Sequence, residues 1–144
     1  DIVALKRECE QLIQVRPQVI EFLSQLRKHR KRVIMVTNAH RKSLVLKMKK
    51  TGIDRYFDAI VSSHDYGVPK EQQRFWERLV FWQHIDPARS MLIDDSVPVL
   101  RSACQFGIAV QLGIHQPDSR SEPMKNEEFP VVRSFDELLP IKVS

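Results

Sequence analysis

A chain of 144 residues is long enough for one domain with a hydrophobic core and too short for two. Hydrophobic residues at 42% and charged residues at 28% exclude a disordered chain, and no stretch approaches the roughly 20 apolar residues of a membrane helix. The formal net charge of +5 leaves nucleic acid, an acidic surface and an anionic small molecule open as partners.

The first residues, Asp1-Ile2-Val3, lack an initiator methionine, and the expectation is a processed product or a fragment. Apolar residues at Ile2, Val3, Leu5, Leu12, Ile13 and Val15, with charges between them, predict one weak helix and a connector. Pro17 then opens a stronger helix whose positions Val19, Ile20, Leu23 and Leu26 form one buried face. The basic run Lys28-His29-Arg30-Lys31-Arg32 follows. It reads as a solvated helix end, where cations suit the helix dipole. No aromatic residues interleave with it, so nucleic acid ranks low as a partner.

Strands and helices alternate from there. Residues 32–37 form an apolar strand ending in Thr37-Asn38, and 41–51 a helix stopped by Gly52. Residues 59–63 form a second strand, and 71–84 a helix with Phe75, Trp76, Leu79 and Val80 on one side. Residues 90–95 form a third strand ending in Asp94-Asp95. Ser96 caps the next helix, with Pro98 in its first turn and Gly107 closing it. Residues 108–112 form a fourth strand, and 113–130 a polar surface loop in which His115 reads as a loop residue. Residues 130–132 predict an edge strand and 135–139 a final helical turn. The two cysteines, Cys9 and Cys104, match no metal-ligand spacing; Cys104 reads as a small buried hydrophobe and no disulfide is expected. Apolar strands alternating with helices imply an α/β fold, a Rossmann-like parallel sheet with helices on both faces.

In such sheets ligands bind beyond the carboxyl ends of the strands. Thr37-Asn38, Ser62-Ser63 and Asp94-Asp95 all end strands, and Lys70 lies in the loop after the second, so all converge on one rim. Adjacent carboxylates repel unless a cation lies near, and they are hard oxygen ligands suited to Mg²⁺. A threonine hydroxyl and a lysine can hold a phosphoryl group. The residues therefore point to anion handling with a divalent metal.

The run Val33-Ile34-Met35-Val36-Thr37-Asn38, the loop Gly67-Val68-Pro69-Lys70 and the run Met91-Leu92-Ile93-Asp94-Asp95-Ser96 resemble motifs II, III and IV of haloacid dehalogenase-like (HAD) hydrolases. The details are most similar to the bacterial branch that includes purine 5′-nucleotidases acting on GMP and IMP. The resemblance covers nearly all of residues 17–140. It implies a phosphate monoester hydrolase whose substrate is a small phosphorylated metabolite, a purine nucleotide; with no apolar signal-peptide core near the N-terminus, the expected compartment is the cytoplasm. Thr37 and Asn38 would hold the phosphoryl group, Lys70 would stabilise it, and Asp95, with Asp94 as a second or outer ligand, would bind Mg²⁺.

Family members attack phosphorus with an aspartate of an Asp-x-Asp pair at the end of a central first strand. No apolar strand ending in that pair precedes Thr37 here. By the resemblance, residues 1–16 would be the remnant of a helical cap and connector, residues 17–144 the core, and the central strand would be lacking. Two strands would then lose ladder partners, a cost beyond typical stabilities of about 5–15 kcal/mol. The expectation is an incomplete chain, inactive alone, whose nucleophile lies outside it. A regular parallel sheet built wholly from this chain would overturn the missing-strand part.

Three other readings rank lower. A receiver domain would present its acidic pair before its hydroxyl and lysine, the reverse of the order here. A catalytically inactive interaction module of the same fold is the chief alternative. A basic nucleic-acid-binding domain rests on charge alone.

Overall fold

The structure, a computed structural model, describes residues 2–6, 17–114, 128–133 and 135–140, with backbone pairing alone for 2–6. The elements in chain order are strand β1 (Ile2–Lys6), helix α1 (Pro17–Lys28), β2 (Arg32–Thr37), α2 (Arg41–Thr51), β3 (Ala59–Ser62), the short α3 (Ser63–Tyr66), α4 (Gln73–Gln83), β4 (Ser90–Asp94), α5 (Val97–Phe106), β5 (Val110–Ile114) and β6 (Val131–Val132). The strands form a six-stranded sheet of order β3-β2-β1-β4-β5-β6 in which every pairing is parallel. The expected α/β class is what the chain adopts.

Two-residue alternation along β2 explains why both faces are covered. Val33 and Met35 pack with Phe22, Leu23 and Leu26 of α1 and with Leu44 and Met48 of α2. Ile34 and Val36 face the other way, onto Phe75, Trp76 and Leu79 of α4 and Val99, Leu100 and Ala103 of α5. Each large apolar side chain so buried contributes about 1.5–3 kcal/mol. Gly52, in the left-handed conformation at φ 74°, ends α2 and donates its N–H to Lys49 O, a conformation that costs a side-chain-bearing residue free energy.

The expectation of a missing central strand is corrected. Ile2–Lys6 lies at the sheet centre, pairing Ala4 with Ile34 of β2 and with Leu92 of β4, so the sheet is built wholly from this chain. The run Ile2-Val3-Ala4-Leu5 is apolar and partly β-branched, which suits a strand buried between two others as well as it suits a helix. Residues 7–16, including Cys9, lie outside the described residues, as does His115. Cys104 is exposed, because the inward side of α5 is taken by Val99, Leu100, Ser102 and Ala103. β3, expected over residues 59–63, stops at Ser62, which caps α3.

Candidate active site

The parallel sheet carries Thr37 and Asp94 to the same rim on strands that flank β1. Thr37 is fully buried and its Oγ1 accepts a hydrogen bond from Ala39 N at 3.0 Å, which turns the chain sharply into α2. Ser62, paired in register with Thr37, is a helix cap: its Oγ accepts from His64 N at 3.1 Å and donates to Ala39 O at 2.7 Å. Asp65 completes the capping box by accepting Ser62 N at 2.9 Å. The strand-end serine thus holds the Thr37 turn in place through Ala39.

Lys70 and Asp94 meet at the centre of the site. Lys70 Nζ lies 3.0 Å from Asp94 Oδ2, and both side chains are wholly removed from solvent. A lone ammonium or carboxylate at such a place would carry a desolvation penalty of several kcal/mol, so each needs the other. Asp94 Oδ1 accepts the N–H of Ser96 at 2.9 Å. Both oxygens of Asp94 are therefore engaged, whereas Asp95, the next residue, is half-buried at the rim. The lysine backbone is fixed as firmly as its side chain. Its N–H donates to Asn38 Oδ1 at 3.1 Å and its carbonyl accepts the Trp76 indole N–H at 2.9 Å. Asn38 Nδ2 in turn donates to Glu71 Oε1 at 2.9 Å.

The sequence-predicted residues accordingly divide. Lys70, Asp94 and Asn38 are linked by direct contacts, and Thr37 and Asp95 sit at the ends of the strands that carry them. The side-chain amide of Asn38 faces the Lys70 loop and gives one Nδ2 hydrogen to Glu71, so a phosphoryl oxygen at Nδ2 would take the other. Sequence reasoning assigned Trp76 to the core alone and missed Glu71 and Ser102. Only a tryptophan close after a site lysine, with a serine on the next helix, could have drawn attention to them. A groove of ≈ 380 Å³, lined by Asn38, Ser63, His64, Gly67, Val68 and Pro69, runs beside the lysine loop. The imidazole of His64, one of its lining residues, lies 5.3 Å from that of His40. Burial pushes the Tyr66 hydroxyl above its ordinary pKa. Asp65 adds to the rise, while a hydrogen bond with Gln83 and the charge of Arg41 oppose it.

The donor set bears on Mg²⁺. Among the described residues no group of three or more His, Cys, Asp or Glu side chains could enclose a metal. Mg²⁺ commonly takes one or two carboxylates and completes its shell with water and substrate phosphate oxygens, so the Asp94-Asp95 rim fits it while a protein-enclosed site does not. The strand between those two walls supplies no carboxylate: β1 runs Ile2-Val3-Ala4-Leu5-Lys6, with Lys6 beside Val36.

A Rossmann-like parallel sheet with a hydroxyl, a buried lysine and an acidic pair on its carboxyl rim defines an open α/β protein whose candidate site lies beyond the strand ends. The haloacid dehalogenase-like hydrolase family profile matches residues 3–112, and the chain belongs to that family. It is 35% identical over 140 residues to the GMP/IMP nucleotidase YrfG of Escherichia coli (strain K12), and equally to that of Shigella flexneri. Those alignments cover 97% of this chain, which spans 63% of the length of these relatives. Among solved structures, a dehalogenase superposes with a TM-score of 0.75 at 21% identity, over 90% of this chain and 57% of its own. A HAD phosphatase from Thermococcus onnurineus gives 0.71 at 21%, over 90% and 60%. No helix among the described residues is long and apolar enough to cross a membrane.

Proposed function

We propose that this chain is the core of a phosphate monoester hydrolase acting on purine nucleoside 5′-monophosphates, GMP and IMP, with the nucleophilic aspartate supplied from outside it. The buried Lys70–Asp94 pair at the strand rim carries the reading, since a fixed cation beside an acidic pair suits a transferred phosphoryl group. Thr37 and the N–H groups of its turn hold phosphoryl oxygens. Lys70 offsets their negative charge, Asp94 fixes Lys70, and Asn38 sets the height of the lysine loop. Asp95 would be the principal protein ligand to Mg²⁺, with Asp94 outside it. When bound, Mg²⁺ would neutralise charge on the phosphoryl oxygens. The nucleophile must reach the rim above Lys6, between Thr37 and Asp94. The purine preference follows the likeness to the two nucleotidases and the anionic character of phosphate esters.

Phosphate release from GMP and IMP by the complete gene product in Mg²⁺ tests this. Asp95→Asn is expected to lower kcat/KM by at least about a hundredfold, or 2.7 kcal/mol of transition-state stabilisation. The chain of residues 1–144 alone should release none. A gene product that hydrolyses no phosphate monoester would sink the proposal. One observation favours a second reading, an inactive interaction module: none of the residues of β1 is an aspartate. An upstream coding sequence with an apolar strand ending in Asp-x-Asp decides for the enzyme.

A further inference from the structure

Among the described residues Lys70 itself has three hydrogen-bonded partners, and one of them lies outside the residues that carry the phosphoryl chemistry. Asn38 of the β2 turn takes the lysine N–H, and Asp94 of β4 takes its ammonium. The third is the indole of Trp76 on α4, whose Nε1–H is shared between Lys70 O at 2.9 Å and Ser102 Oγ at 3.1 Å. Ser102 is on α5, the helix that begins directly after Asp94-Asp95-Ser96, and Gln73 Nε2 bonds its carbonyl at 2.7 Å and its hydroxyl at 3.2 Å. Trp76 is 1% exposed and Ser102 4%. A single N–H thus ties the lysine loop to the helix that follows the acidic pair.

We infer that Trp76, supported by Ser102 and Gln73, is a positioning residue that sets Lys70 against Asp94. Removing the indole donor takes a hydrogen bond from the buried carbonyl of Lys70, which favours a loop shifted toward water. Any such movement lengthens the 3.0 Å Lys70–Asp94 contact. A displacement of about 1 Å at a catalytic centre can cost on the order of a hundredfold in rate. The apolar body of the indole serves the core, where it meets Phe75 edge-on at 5.0 Å between centroids; its N–H serves the site.

The effect on turnover rests on the phosphatase reading, whereas the effect on the loop does not, so two measurements separate them. Trp76→Phe keeps an aromatic ring and removes the donor. In this chain, amide hydrogen exchange of Lys70 N–H should quicken about tenfold while Val36 and Ile93 in the sheet keep their protection. In the complete gene product acting on p-nitrophenyl phosphate, kcat should fall about tenfold with KM within about twofold. Ser102→Ala should shift both in the same direction by less. Trp82→Phe, at a residue 63% exposed, is the control and should change neither. Lys70 exchange at the parent rate, or a uniform rise across all amides, overturns the inference. An inactive parent gene product overturns the phosphatase reading alone and leaves the exchange result to decide this one.

Discussion

β1 and β4 lie side by side at the middle of the sheet and pair from Ile2 with Ser90 to Leu5 with Ile93, yet among the described residues only β4 of the two ends in the candidate site. β4 delivers Asp94 to Lys70 and to the N–H of Ser96, then Asp95 to the rim. β1 reaches the same edge with Lys6 and no carboxylate. Filling a central position needs only a short apolar run with two ladders to satisfy. Making a site there needs polar groups at the strand end, each met by a partner on another element. The two demands are met by different residues, and a strand can meet the first without the second.

The largest test of that contrast is Lys70→Met, which strands the carboxylate of Asp94 in the interior. Urea unfolding should show a loss of about 3–5 kcal/mol, and the double variant Lys70→Met/Asp94→Leu should recover part of it. A single variant as stable as the parent would show that the pair is not what holds this rim. Next is Ala4→Pro in β1, which removes a ladder N–H in a strand paired on both sides. It should cost on the order of 3 kcal/mol, and an unchanged unfolding midpoint would mean that β1 does not hold the central place. Smallest is Asn38→Ala, expected to lose about 1 kcal/mol by leaving the Lys70 N–H without its acceptor. Its signature is local, with faster exchange at Lys70 and none at β1.

Much of this was legible in the residues. The apolar runs ending in Thr37 and Asp94 fixed both strand type and direction, because only a parallel sheet needs near-continuous apolar strands and sends their ends to one rim. Helix α4 was readable from Phe75, Trp76 and Leu79. The strand at Ile2–Lys6 was not, since a run that short fits either period, and its charged continuation favoured a helix. Nor could the exposure of Cys104 be seen, because an apolar stretch does not say which of its residues turn outward. The double duty of Trp76 was hidden for a related reason: side-chain hydrogen bonds to a distant backbone carbonyl leave no periodic trace.

The pairing of β1 with β4 has a consequence for biosynthesis. Ile2 and its partner Ser90 are separated by roughly 90 residues of chain, which a ribosome adds in on the order of 4–18 s at about 5–20 residues per second. β2 emerges far earlier, so one flank of β1 is covered while the other stays an open edge until Ser90–Asp94 leaves the exit tunnel. Until then the nascent domain exposes an apolar strand edge, and over the last 24 residues of the interval the Lys70 ammonium has yet to meet Asp94, which marks the stretch before β4 as the window in which a chaperone would engage it.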